Sequence, residues 1–184
     1  MLQHKGTQLL ETPRLILRRF TVDDARAMYE NWASDPEVTK FLTWPPHADL
    51  EVTGQVLKSW VEGYGQNDFY QWAIVPKGLD APIGSISVVS RNDKVRIAHI
   101  GYCIGKRWWH QGFTSEALRA VIDFLFDEVG AQRVEAMHDS NNPNSGGVMR
   151  KCGMKYEGTL RRSAVTNQGI LCDACWYSIL DDER

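Results

Sequence analysis

The chain has 184 residues, of which 43% are hydrophobic and 24% charged, and its formal net charge is −2. This composition is that of a globular protein whose length fits one domain, which we expect to span residues 1–184. Proteins that neutralise nucleic-acid phosphates are usually far more basic, so the charge argues against nucleic acid as a partner. No stretch approaches the roughly 18 apolar residues that cross a bilayer, which argues against a membrane partner.

The N-terminal stretch and the cysteines both favour the cytoplasm. MLQHKGTQLLE lacks the apolar core of a secretory signal. The four cysteines, at 103, 152, 172 and 175, form no dense disulfide framework and suit a reducing compartment. Cys172 and Cys175 make one C-x-x-C, but no second ligand pair stands at zinc-finger spacing, and strand alternation puts the two on opposite faces. We therefore expect no metal.

The first part of the chain predicts a strand followed by helices. LILRRF (15–20) reads as the strand, and Thr21 with Asp24 three positions later predicts a helix start before ARAMYENWA. A connection rich in aromatic residues and proline covers 35–46. Apolar residues at helical spacing then predict a helix over 48–63.

The remaining elements alternate strands with two helices. In order, the predicted elements are strands at 70–75, 83–89 and 96–104, a helix near 115–129, a strand at 132–139, a short helix near 143–152, and strands around 154–164 and 170–180. Thr114 and Ser115 are the predicted caps of the longer helix.

Strand, helix and strand over 96–139 form the pattern of a parallel crossover, which is right-handed in nearly all proteins. The segments before and after it read as antiparallel hairpins. The predicted fold class is therefore α/β (α+β), with a mixed, mostly antiparallel sheet and helices on both faces.

The turn before the longer helix has the properties of an anion site. The first N–H groups of a helix lack internal partners and carry partial positive charge. A loop that is flexible at Gly112 can turn several such groups towards a phosphate or pyrophosphate, and a side chain at this position would obstruct the approach. The local residues alone also allow a plain strand-to-helix turn.

The stretch RWWHQGFTSEAL (107–118) resembles the pyrophosphate loop of the GNAT acetyltransferases, Q/R-x-x-G-x-G/A at a helix start. It is most similar to the RimJ/RimL branch, which acetylates the N-termini of ribosomal proteins and whose loop reads roughly W-G-x-G-Y-A-T-E-A. Three further stretches match that branch in the same order: LLETPRLILRRF, IGYCI and NNPNSGGVMRKCGMKYEGTLR. The resemblance covers nearly the whole chain.

Two positions depart from the pattern of the branch. His110 stands where glycine is usual, and Thr114 stands where alanine or glycine is usual. Because backbone N–H groups hold the phosphates, both residues are compatible with the site if their side chains point away from it.

The resemblance implies a GNAT-type fold with a central splayed parallel strand pair, and acetyl-CoA as cosubstrate. Its pantetheine arm is expected between the strands at 98–104 and 133–138. The cofactor-binding residues that the resemblance implies are Ile100, Tyr102, Ile104, Trp109, His110, Gln111, Gly112, Phe113, Thr114, Asn142 and Ser145.

In the family the amine attacks the thioester directly, so no nucleophilic cysteine is needed. The resemblance assigns Asn142 to the pantetheine amides and Ser145 to the thioester sulfur, as hydrogen-bond donor or proton source. Alternatively, Asn142 with its following proline only starts the short helix.

The base that removes the amine proton has several candidates. Relatives often carry a glutamate two residues before the G-Y of the first splayed strand, where this chain has His99. Imidazole, with a pKa near neutrality, suits this task. His138 and Glu135 on the second splayed strand are alternatives, as is a water relay to backbone carbonyls.

The acceptor is expected opposite the cosubstrate, and aromatic rings suit a cationic amine. The candidate wall residues are Trp32, Phe41, Trp44, Trp60, Tyr64 and Trp72, with TWPP (43–46) as the segment facing the substrate. The leading hypothesis is N-acetyl transfer from acetyl-CoA to a primary amine such as a protein N-terminus. A small amine (polyamine or antibiotic) as acceptor, a catalytically silent acyl-CoA-binding module, and a homodimer are open alternatives.

Overall fold

The structure, a computed structural model, describes residues 1–184 and is built on one eight-stranded sheet in the order β1-β2-β3-β4-β5-β6-β8-β7. The strands are β1 (Leu10–Glu11), β2 (Leu15–Arg18), β3 (Gln71–Pro76), β4 (Gly84–Asn92), β5 (Ile97–Ile104), β6 (Arg133–Asp139), β7 (Lys155–Val165) and β8 (Leu171–Leu180).

The helices are α1 (Ala25–Met28), α2 (Pro36–Thr39), α3 (Leu50–Gly63), α4 (Phe113–Asp127) and α5 (Pro143–Lys151). The predicted start of the first helix is confirmed, because the N–H of Thr21 donates to Asp24 Oδ2 at 2.8 Å just before α1. α1 continues as a π-helical turn, Tyr29–Ala33. No helix is both long and apolar enough to cross a membrane.

All strand pairs are antiparallel except β5 with β6, which confirms the predicted mixed sheet. That parallel pair is short, because its last partners are His99 and Glu135. β5 nevertheless stays paired to β4 as far as Ile104, and β6 stays paired to β8 as far as Asp139. The inner edges of β5 and β6 therefore diverge, as expected.

Helices cover both faces of the sheet, and each face has its own apolar core. The larger core holds α4 and α5 against side chains such as Ile100 and Ile104 of β5. The smaller one includes Phe20, Trp32 and Leu57, and Cys103 of β5 packs against it. Alternate residues of β5 thus point to opposite sides of the molecule.

The turn leaving β5 is held tightly against the π-helical turn. A Cβ built on Gly105 would lie 2.2 Å from the carbonyl oxygen of Asn31 and 2.8 Å from the ring of Trp108. Asn31 is itself fixed, because its side-chain amide donates to the carbonyl of Pro82. Only glycine fits at this junction.

We expect Gly105→Ala to lower the free energy of unfolding by about 1–3 kcal/mol, because backbone must move to admit the methyl group. The matched control is Gly54→Ala in α3, where a Cβ meets nothing within 4 Å. That substitution should stabilise the protein by roughly 0.5–1 kcal/mol through helix propensity. Urea denaturation measures both, and equal effects would contradict the tight junction.

Candidate active site

The loop between β5 and α4 enters the helix through two left-handed residues. His110 has φ 59° and Gly112 has φ 80°. A left-handed conformation costs little for glycine and is tolerated by histidine better than by β-branched residues. This explains why glycine is usual at the position of His110 and why histidine can replace it.

The predicted caps of α4 are wrong. The helix begins at Phe113, and Gly112 is its N-cap residue, so Thr114 and Ser115 lie inside the first turn. Serine and threonine are preferred N-caps because their side chains bond to the free N–H groups of the first turn. Here Gly112 has no side chain to do so, and those N–H groups stay free.

A run of main-chain N–H groups at this helix start has no acceptor. The first intrahelical bond runs from the N–H of Glu116 to the carbonyl of Gly112, whereas the N–H groups of residues 110–115 make no hydrogen bond. Such a row carries the partial positive charge of the helix dipole and suits an anion.

No side chain caps the row of N–H groups, those of His110 and Thr114 included. His110 is exposed and Thr114 is buried beneath the helix. Trp109 ties the loop to the end of β5, because its indole Nε1 donates to the carbonyl of Ile104 at 2.8 Å. Gln111 turns back along the loop and donates to the carbonyl of Arg107.

Glu116 joins the helix start to the N-terminal segment of the chain. Its carboxylate accepts hydrogen bonds from Thr12 Oγ1 at 2.6 Å, from the N–H of Arg14 at 2.9 Å and from Arg14 Nε at 2.6 Å. Arg14 also donates to the carbonyl of Gln111, and its guanidinium lies over the ring of Phe113. Burial alone would raise the pKa of Glu116, but these hydrogen bonds outweigh it and hold the pKa below its ordinary value.

This interaction was missed by the sequence reasoning. Thr12, Arg14 and Glu116 all lie in stretches that resemble the RimJ/RimL branch, but about a hundred positions separate them. No local pattern pairs residues so far apart.

The start of α5 lies beside the diverging strands. Asn142 is the N-cap residue of α5, yet its side chain makes no capping hydrogen bond. Ser145, in the first turn, is half-buried, and its Oγ lies 3.0 Å from the hydroxyl of Tyr102 on β5. A contact between α5 and β5 thus spans the opening that the strands leave.

The two candidate histidines lie on opposite faces of the sheet. His138 is buried under α5, with Nδ1 2.7 Å from the carbonyl of Asp139. A Cβ on Gly146 would lie 2.6 Å from His138 Nε2, so ring and helix are in close contact. His99 instead points to the face of α1–α3, where its side chain is 12% exposed.

His99 lies in a network of charged side chains. Its Nδ1 is 3.5 Å from Glu135 Oε1, and its ring contacts Trp176 edge-on. Glu135 Oε2 accepts from Arg133 Nε at 2.8 Å, and Arg133 is also paired with Glu157. Burial lowers the pKa of His99 and outweighs the opposing effect of Glu135, so the imidazole is neutral at pH 7.

The predicted acceptor wall is only partly in place. The assignment of Trp72 to this wall is wrong, because its side chain is fully buried against Phe124 on the other face of the sheet. Trp32 is fully buried as well. Trp60 and Tyr64 pack around Phe20, whereas Phe41 and Trp44 are partly exposed between α2 and α3.

The tip of the β7–β8 hairpin meets this aromatic connection. The side-chain amide of Asn167 donates to the carbonyls of Thr39 and Trp44, at 2.8 and 3.0 Å. The hairpin tip is thus tied to the connection between α2 and α3.

The cysteines are all free thiols, and no group of three or more histidine, cysteine or carboxylate side chains is placed to hold a metal ion. Burial raises the pKa of Cys103 and raises that of Cys152 to about 11. Both thiols are therefore protonated at neutral pH and are poor nucleophiles.

Comparison with known proteins agrees with this geometry. The family described as Acetyltransferase (GNAT) domain matches residues 14–155. The chain belongs to the GNAT acetyltransferase family. It is 30% identical to the uncharacterized N-acetyltransferase p20 of Bacillus licheniformis, over 96% of this chain and 98% of the relative.

Two further proteins are similar over nearly their whole length. The uncharacterized N-acetyltransferase YoaA of Bacillus subtilis (strain 168) is 31% identical, over 94% of this chain and 96% of the relative. The microcin C7 self-immunity acetyltransferase MccE, solved in complex with acetyl-CoA and AMP, aligns with a TM-score of 0.83 at 19% identity, over 92% of this chain and 93% of that one. The protein is thus an N-acetyltransferase of the GNAT fold, and GNAT domains use acetyl-CoA.

We expect Glu116→Ala to weaken acetyl-CoA binding about 10-fold, because Thr12 and Arg14 would no longer hold the loop from which the N–H groups project. Isothermal titration calorimetry measures the affinity. The matched control is Glu128→Ala at the other end of α4, where no hydrogen bond is lost. If both variants bind acetyl-CoA alike, the Glu116 contacts do not support the loop.

Proposed function

We propose that the protein transfers the acetyl group of acetyl-CoA directly to a primary amine, and that this amine is a protein N-terminus. The observation that carries the proposal is the row of unpartnered N–H groups at 110–115 next to the opening between β5 and β6. The row fits the pyrophosphate, and the opening fits an extended arm with amide groups.

Main-chain groups, more than side chains, are proposed to bind acetyl-CoA. The N–H groups of residues 110–115 would hold the pyrophosphate, with Gly112 giving close approach. The unpaired edge of β5 from Ile100 through Tyr102 to Ile104 offers main-chain groups to the pantetheine arm. The side chain of Asn142, which caps no helix, is free to reach the same arm.

Direct transfer fits the chemistry of the residues present. The amine nitrogen forms a bond to the thioester carbon, and the C–S bond breaks with its electron pair going to sulfur. A protonated amine gives one proton to a base before the attack, and the attacking nitrogen releases a second one to water as the amide forms, while the thiolate gains a hydrogen bond. Because Cys103 and Cys152 are protonated, neither competes as an acetyl carrier.

His99 is proposed as the base. It is neutral at pH 7 because burial lowers its pKa, and Glu135 beside Nδ1 favours a tautomer with the lone pair on Nε2. His138 faces α5 on the other side of the sheet, so it is assigned to supporting that helix.

The acceptor is assigned from the resemblance to the RimJ/RimL branch. We infer that a chain end would approach His99 from the side of the aromatic connection and the β7–β8 hairpin. A small amine is the second candidate, because Asn167 joins these two segments and narrows the space there.

The test is acetyl transfer to a panel of acceptors. We expect thiol release from acetyl-CoA when peptides are the acceptors. Mass spectrometry should then find the acetyl group on the peptide N-terminus. Acetylation of polyamines or aminoglycosides, with peptides untouched, would favour the second candidate. Tight binding of acetyl-CoA with no thiol release for any acceptor would contradict transfer and favour the silent binding module.

The pH dependence tests the base. We expect His99→Gln to lower kcat/KM about 100-fold between pH 6.5 and 8, where His99 is unprotonated and much of an α-amine, with a pKa of about 8, still carries its proton. The wild-type activity should fall as the pH drops through the pKa of His99, below 6.5, and the variant should lose this step. His4→Gln, another partly buried histidine, is the control. An unchanged profile in His99→Gln would remove His99 from the mechanism.

A further inference from the structure

Tyr102 makes its only side-chain hydrogen bonds to one residue across the opening between β5 and β6. Its hydroxyl lies 2.9 Å from the carbonyl oxygen of Ser145 and 3.0 Å from Ser145 Oγ. Tyr102 stands on the splayed part of β5, and Ser145 stands in the first turn of α5, directly after β6. The contact therefore fixes the serine hydroxyl relative to the strand edge.

A second contact, with β6, also holds the backbone at Ser145 in place. Gly146, the next residue, is in close contact with the ring of His138, which holds the first turn of α5 at one height above the sheet. The backbone of Ser145 is thus held in place, and the contact with Tyr102 orients its hydroxyl.

One phenolic proton faces two acceptors on the same residue. When the Ser145 hydroxyl donates to Tyr102, the tyrosine donates to the Ser145 carbonyl. When the Ser145 proton turns elsewhere, the tyrosine can donate to Ser145 Oγ instead. Burial raises the pKa of Tyr102, so its hydroxyl keeps its proton and remains a donor. A donor to Oγ polarises the serine and strengthens the hydrogen bond that it gives.

We propose that Tyr102 is a positioning residue for the leaving thiolate, acting through Ser145 and not through its backbone alone. This inference rests on the proposed function, since it needs a thioester at the opening. As the C–S bond breaks, sulfur keeps the electron pair and accepts a hydrogen bond from Ser145 Oγ–H. Tyr102 then donates to Ser145 Oγ, and the thiolate takes its proton from water.

The first test compares the binding of CoA with that of desulfo-CoA, which lacks the sulfur. Thiols ionise in the alkaline range (about 8.5 for cysteine, higher for a simple alkyl thiol), so the thiolate fraction of CoA rises between pH 7 and 9. We expect the wild-type protein to prefer CoA over desulfo-CoA about 10-fold more strongly at pH 9 than at pH 7, since hydrogen bonds to a charged group are strong. In Tyr102→Phe and in Ser145→Ala, the preference for CoA over desulfo-CoA should be the same at pH 7 and pH 9.

The second test is kinetic. Tyr102→Phe should lower kcat about 10-fold with a nearly unchanged KM for acetyl-CoA, and adding it to Ser145→Ala should cause no further loss. Tyr70→Phe is the matched control, because that buried hydroxyl bonds to His4 and Lys5 far from α5. It should leave both the kcat and the CoA preference unchanged.

The outcomes are distinguishable. If Tyr102→Phe keeps the CoA preference and kcat, or weakens CoA and desulfo-CoA equally, Tyr102 is only structural and the inference is overturned. If the wild-type protein binds neither CoA nor desulfo-CoA, the proposed function fails and this inference fails with it.

Discussion

The site depends on the point at which β5 and β6 stop pairing. Beyond His99 and Glu135 each strand keeps its outer partner, β4 or β8, and loses the inner one. Main-chain groups inside a protein rarely remain without hydrogen-bond partners. The two bare edges therefore form a slot that suits an extended ligand with amide groups. The outer ladders keep the slot open, because neither strand can move inward without breaking them.

The pleat of β5 divides the two halves of the proposed reaction between the faces of the sheet. His99 points towards α1–α3, whereas Tyr102, three residues on, points towards α5 and Ser145. A thioester in the slot would thus meet a base on one side and a hydrogen-bond donor on the other. His99 and Tyr102, which supports the donor Ser145, lie on a single strand, so the distance between these two residues is fixed by the backbone rather than by flexible loops.

Much of the fold could be predicted from periodicity, because apolar spacing identifies strands and helices wherever one face is buried. The N-cap of α4 could not be predicted, since residue preferences at helix starts favour Thr114 and Ser115, whereas the backbone enters the helix at Gly112. Trp72 was misplaced because a strand buried on both faces shows no alternation to decide which way its residues point. The contact of Arg14 with Glu116 depends on tertiary packing, which no local pattern reports.

The charges around His99 explain why burial prevails over its acidic neighbour. A carboxylate 3.5 Å from an imidazole raises its pKa, and burial lowers it. The other oxygen of Glu135 is bonded to Arg133, whose guanidinium compensates much of that negative charge. Glu135 therefore orients the ring, and its effect on the pKa of His99 is smaller than that of burial. The result is an imidazole that is fixed in direction yet neutral at pH 7, which is the state that a base must have when a protonated amine arrives.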